Sequence, residues 1–198
     1  MNESFEVRLH EALRNSWAVF SKAPEVFIGI AFGLFAISIV FASLPVVGPF
    51  VGMLICALGP ACIFLAAEDG YRKEAATFQS LEAIPALLPQ LLALFVVKYI
   101  LIGLGFLLLV LPGIYLVITL SFAELYVIAE KKTFLDAMKA SHALVRRNLL
   151  GVTALLLVVL LFAFSGALVI GLGMLVTAPL ALLTLHAVFR RVSLRILR

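Results

Sequence analysis

Charged side chains are scarce in this chain. They make up 13% of its 198 residues, and 64% are hydrophobic, whereas a soluble domain is roughly a quarter charged. A water-soluble fold of this size has too little interior for so much apolar surface, so lipid is expected to be the solvent for much of it. Cysteine is nearly absent. Cys56 and Cys62 stand six apart in one apolar run. At helical pitch they point to different faces, which disfavours a bridge between them and leaves the redox compartment open. Histidine is limited to His10, His142 and His186, too scattered for metal-ligand spacing. The sequence holds no G-x-S-x-G, no H-E-x-x-H and no phosphate loop. No cofactor and no metal are therefore expected, and the chain is read as a non-enzyme. The short segments of alternating polarity that build membrane barrels are also missing.

What the sequence does hold is a series of apolar runs reaching about twenty residues, the length of a helical membrane span. The mean hydropathy is +1.20. The expected fold class is all-α: a polytopic membrane protein of about six transmembrane helices, two cytoplasmic amphipathic helices and a partial internal repeat, forming one membrane domain over 1–198. The spans fall near Pro24–Leu44, Phe50–Ala67, within Ile84–Leu111, Ile114–Ala129, Leu149–Ile170 and Met174–Phe189. Pro45 to Pro49, Pro112-Gly113 and Gly171–Gly173 are the expected turns on one side. Residues 3–22 and Glu130–Asn148 carry apolar side chains at three- and four-residue spacing, the pattern of amphipathic helices. Trp17 on the first of them suits the headgroup layer. The charges ahead of the first apolar run argue against a cleaved signal peptide.

Orientation follows from the cations. Of fifteen Lys and Arg, all but Lys98 lie in the N-terminal segment, the two polar loops or the C-terminal tail. The positive-inside rule then places both termini and both polar loops in the cytoplasm. The net charge of +4 is read as basic loops beside anionic headgroups and gives no reason to expect nucleic acid as a partner.

Two parts of the chain look alike. Glu11-Ala12-Leu13-Arg14-Asn15-Ser16-Trp17 matches Asp136-Ala137-Met138-Lys139-Ala140-Ser141-His142. Gly59-Pro60 matches Ala178-Pro179, and Arg72 and Arg191 follow twelve residues beyond each proline. Units 3–73 and 130–192 thus read as parallel copies, an arrangement found in transporters and in membrane proteins that transport nothing.

The run Leu111-Pro112-Gly113-Ile114-Tyr115-Leu116, then Ser121-Phe122-Ala123, then Ala137 with Ser141, resembles the YciC-like group of bacterial inner-membrane proteins. It is also similar to the membrane domain attached to some glycerophosphodiester phosphodiesterases. The resemblance implies a multi-pass protein of the bacterial inner (cytoplasmic) membrane and no particular activity. The chain departs from the pattern where an arginine often follows Pro-Gly-Ile-Tyr; Ile118 and Thr119 stand there instead.

Lys98 is the most informative single residue, because a charge near mid-bilayer costs about 2.5–3.5 kcal/mol on insertion scales unless paired or hydrated. Glu124 is its expected partner, with Gln90, Tyr99, Thr119 and Ser121 as supporting polar groups. Such a pair serves as a site for an ion, proton or headgroup, or it simply fixes helix register. Arg146, Arg147, Arg190 and Arg191 form an expected basic rim for anionic lipid. Gly29 with Gly33 and Gly48 with Gly52 have the four-residue spacing of close helix packing, within one chain or between copies in a homo-oligomer. Pro60 and Pro179 are expected kinks. Two functions remain open: a channel or transporter for an ion or small solute, and a non-transporting scaffold or lipid-binding protein.

Overall fold

In lipid a backbone polar group finds no water, so an apolar run of this length satisfies its N–H and C=O groups within its own helix. The computed structural model follows that rule. It describes residues 9–42, 44–45, 47–72, 75–167 and 173–196, and every regular element among them is helical. The helices are α1 (Leu9–Phe20), α2 (Pro24–Ala42), α3 (Val47–Arg72), α4 (Ile84–Leu108), α5 (Val110–Thr119), α6 (Ala123–Glu130), α7 (Phe134–Arg147), α8 (Leu149–Ala167) and α9 (Met174–Ile196). A 3-10 turn, Phe78–Ala83, leads into α4. The start of the repeat unit 3–73 and most of the expected Gly171–Gly173 turn lie outside the described residues.

Among the described residues five stretches are long and apolar enough to cross a bilayer: Pro24–Phe41, Phe78–Leu108, Val110–Glu130, Leu149–Gly166 and Met174–Arg191. The chain is an all-α, polytopic membrane protein. The 26-residue α3 occupies the place of the expected second span.

Three hairpins organise the bundle: α2 with α3, α4 with α5, and α8 with α9. Their packing is cyclic. The short helix before each hairpin lies on the second arm of another: α1 on α9, the 3-10 turn on α3, and α7 on α6. The first arms follow the same order, with α2 on α9, α4 on α3 and α8 on α5. The second arms therefore take the inside. The most apolar eighteen residues of Val110–Glu130 are 50% buried and Met174–Arg191 is 56% buried, against 17% of Pro24–Phe41 and of Leu149–Gly166. Phe64, Phe122 and Phe189 fill the centre, and the Tyr126 and Phe189 rings meet edge-on at 4.9 Å. Phe35, Val40, Leu107, Leu157 and Phe164 point outward from the first arms and their turns.

One expected turn moves. Pro112-Gly113 does not reverse the chain; the reversal is at Leu109, whose backbone is extended, and α5 starts at Val110. Proline is tolerated there because first-turn N–H groups have no intrahelical acceptor. Gly113 lets the arms close: a side chain at Gly105 would put its Cβ 3.0 Å from the Gly113 Cα. The expected continuous fourth span is also interrupted, between Thr119 and Ala123, where α5 gives way to α6.

Candidate functional site

The interruption begins with side chains that compete for backbone carbonyls. Thr119 Oγ1 donates to Tyr115 O at 2.9 Å and Ser121 Oγ donates to Ile118 O at 2.8 Å. Hydroxyls that bond back along a helix offer the chain an alternative to the regular ladder. Leu120 and Phe122 both sit near ψ 0 (φ −99 and −97), so the ladder slips. The groups it releases are taken by α7. Ser141 Oγ donates to Thr119 O at 2.7 Å and accepts from Phe122 N–H at 3.2 Å, with Ser141 fully buried. One hydroxyl thus serves both sides of the gap, where an unpaired group in hydrocarbon costs several kcal/mol.

Glu124 stands in the first turn of α6, just past the gap. Lys98, on α4, donates from Nζ to Glu124 Oε1 at 2.9 Å. The side chains are 13% and 14% exposed, so the pair is largely shielded. Tyr99, beside Lys98, is half exposed and packs its ring on Phe95 at 4.4 Å, with the Lys98 ammonium 5.9 Å from its centroid. Gln90 lies lower on α4, where its Oε1 accepts from the Phe134 N–H at the start of α7. Thr133 caps the same helix end through Asp136 N–H. Of the expected polar group, Lys98, Glu124, Thr119 and Ser121 gather at the gap. Gln90 instead fixes α7, and Tyr99 faces outward.

The other expected residues are more dispersed. Arg146 and Arg147 are exposed on α7. Arg190 lies over the Tyr71 ring at 4.7 Å, and Arg191 pairs with Glu11 at 2.6 Å. A Cβ on Gly29 would meet the Phe78 ring at 3.0 Å, whereas Cβ atoms on Gly33 and Gly52 would meet nothing within 4 Å. Gly48 is in the first turn of α3, and Pro60 and Pro179 lie within the unbroken helices α3 and α9.

A second polar cluster joins α3 to α9, around one of the histidines that lack metal-ligand spacing in the sequence. His186 is fully buried, stacked between the Phe64 and Tyr71 rings at 6.2 and 5.4 Å. Its Nε2 lies 3.1 Å from Glu68 Oε2, off the line of a hydrogen bond. Arg72 donates to the other Glu68 oxygen at 2.7 Å. Glu68 is one residue past the expected second span. The His186 imidazole and the Arg72 guanidinium hold its carboxyl down at about 2 against the desolvation that raises it. Glu68 Oε2, the Tyr71 hydroxyl, both His186 ring nitrogens and one Arg190 terminal nitrogen are buried with no hydrogen-bond partner among the described residues. The sequence offers one pointer to this crossing: Arg72 and Arg191 stand twelve residues beyond Pro60 and Pro179 respectively.

Among the described residues no group of three or more His, Cys, Asp or Glu is placed to hold a metal. Residues 51–194 match the model of an uncharacterised protein family, UPF0259. A protein of Pectobacterium carotovorum described as a UPF0259 membrane protein is 35% identical over 99 residues. That match covers 50% of this chain and 39% of the relative, so the chain spans well under half of the relative's length. No solved structure matches.

Proposed function

We propose, on the premise that the chain belongs to the uncharacterised family UPF0259, that it is a six-span protein of the bacterial inner membrane that handles a proton or small cation at the gap in span four. Six spans result when α3 is counted with the five apolar stretches. Both termini are then cytoplasmic by the positive-inside rule. The reading is of a carrier, not an enzyme, and the likeness to the YciC-like group fits it without adding a substrate. The observation that carries it is the Lys98–Glu124 pair beside a discontinuous helix. Ionisable groups inside spans are a common mark of ion and proton paths, and broken helices supply sites in transporters. The filled aromatic centre does not favour an open pore, so movement at the gap would have to accompany passage.

Purified protein in liposomes tests this. Flux of protons or monovalent cations should exceed that of empty vesicles, and Lys98→Ala or Glu124→Gln should reduce it toward the level of empty vesicles. Lys98→Glu combined with Glu124→Lys restores the pair and its register role. Unchanged flux in that double variant, or in both single ones, would sink the ion-site reading.

The packed centre favours a second reading, a non-transporting scaffold that organises anionic lipid or further copies of the chain. It places the lipid at Arg146 and Arg147, with Arg190 and Arg191 behind. Copurifying anionic lipid should fall when all four are made neutral; retention counts against it.

A further inference from the structure

A groove of 350 Å³ runs between α1 and the α8–α9 hairpin, lined by Arg14, Trp17, Phe162, Leu180 and Thr184 among others. It belongs to neither polar cluster. Its walls are apolar in effect, because the hydroxyls in them are turned to their own helices: Thr184 Oγ1 donates to Leu180 O and Ser16 Oγ to Ala12 O. Phe162 and Leu180 lie within Leu149–Gly166 and Met174–Arg191, stretches long and apolar enough to cross a bilayer, so this end meets hydrocarbon where they do. The other end is charged. Arg14 is exposed and pairs with no carboxylate among the described residues, whereas Arg191 is held by Glu11. Leu180 is eleven residues from Arg191 along α9, about 16 Å at the helical rise, and Glu11 ties that end of α9 to α1 less than one turn from Arg14. The groove is therefore greasy at depth and cationic at its rim.

We infer that this groove holds one acyl chain of an anionic phospholipid, with the headgroup phosphate against Arg14. The site is independent of the ion-handling reading and requires only that α8 and α9 cross the bilayer. Charge selects the lipid: a guanidinium at the surface favours an anionic headgroup over a zwitterionic one by about fivefold. The geometry selects a chain and not a soluble anion, because nothing polar lines the deep end.

Trp17 is the chain's single tryptophan and lines the groove, so its fluorescence reports occupancy directly. The full-length protein is placed in phosphatidylcholine vesicles containing brominated phosphatidylglycerol or brominated phosphatidylcholine at equal mole fraction. The wild type should show an apparent preference for phosphatidylglycerol of about fivefold, kept in Arg14→Lys and reduced to near unity in Arg14→Gln. Thr184→Leu fills the groove without touching the rim and should weaken quenching by both lipids, with helicity by circular dichroism confirming that each variant is folded. Equal quenching by the two lipids, a preference that survives Arg14→Gln, or quenching indifferent to Thr184→Leu would each overturn the assignment, since Trp17 would then be sensing bulk lipid alone.

Discussion

The two polar clusters of this bundle meet the same problem, charge among apolar helices, in opposite ways. At the gap between α5 and α6 each group has an answer: Lys98 bonds Glu124, and Ser141 takes up both the Thr119 carbonyl and the Phe122 amide. At the α3–α9 crossing the helices stay continuous and the side chains are left over. His186, Tyr71 and Arg190 stack on one another's rings, yet five polar atoms there, one of them on Glu68, find no hydrogen bond. A broken helix frees backbone groups but also frees the geometry to satisfy side chains. An unbroken one fixes its side chains at helical spacing, and those too rigidly placed to meet remain unsatisfied. The first cluster is accordingly closed, and the second keeps buried polar atoms without a hydrogen bond among the described residues.

Cutting the closed pair should have the largest effect. Glu124→Ala strands Lys98 and should cost about 3–5 kcal/mol, the range for breaking one half of a buried ion pair, whereas Lys98→Met with Glu124→Leu should be close to neutral. Thermal unfolding in micelles reads both. If the single variant is no worse than the double, the pair is hydrated and not closed. Next comes Glu68. Its folded-state pKa lies below the ordinary 4.5 at about 2, so its contribution is present above 4.5 and disappears as the pH falls through 2. At 16% exposure it is little screened. Wild type should lose that stability on acidification from pH 5 to 2, and Glu68→Gln should start without it and lose less. Parallel acid curves for the two proteins would remove the electrostatic contrast between the clusters.

Much of the fold is legible in the sequence because long apolar runs leave a chain few choices. The helical spans, the scarcity of loops and the proximity of Lys98 to Glu124 all follow from hydropathy and from the rise of a helix. The gap between α5 and α6 is only partly legible locally. Thr119, Leu120, Ser121 and Phe122 read as ordinary span, and the groups they release are answered by a serine about twenty residues further on, brought back by α7. The displaced Pro112-Gly113 turn was hidden because proline marks a helix start as readily as a reversal. The His186 cluster needs the crossing of α3 over α9, a relation between elements that periodicity within either one does not contain. The similar segments gave partial access to it: Ala12 with Ser16 and Ala137 with Ser141 are buried alike, on helices that each lie on the second arm of another hairpin.

That last pair of serines separates resemblance from role. Ser16 Oγ donates only to Ala12 O within its own helix, where the carbonyl keeps its ladder bond whether or not the hydroxyl is there. Ser16→Ala should therefore cost under about 1 kcal/mol. Ser141→Ala leaves Phe122 N–H and Thr119 O unanswered in a buried gap and should cost about 1–3 kcal/mol, with Ser141→Thr recovering part of it through the retained hydroxyl. Hydrogen exchange locates the loss: the Phe122 amide should exchange faster in Ser141→Ala and unchanged in Ser16→Ala. Equal, small effects at both positions would mean that the gap is set by Thr119 and Ser121 alone, that α7 merely rests on it, and that the Lys98–Glu124 pair owes nothing to the helix packed behind it.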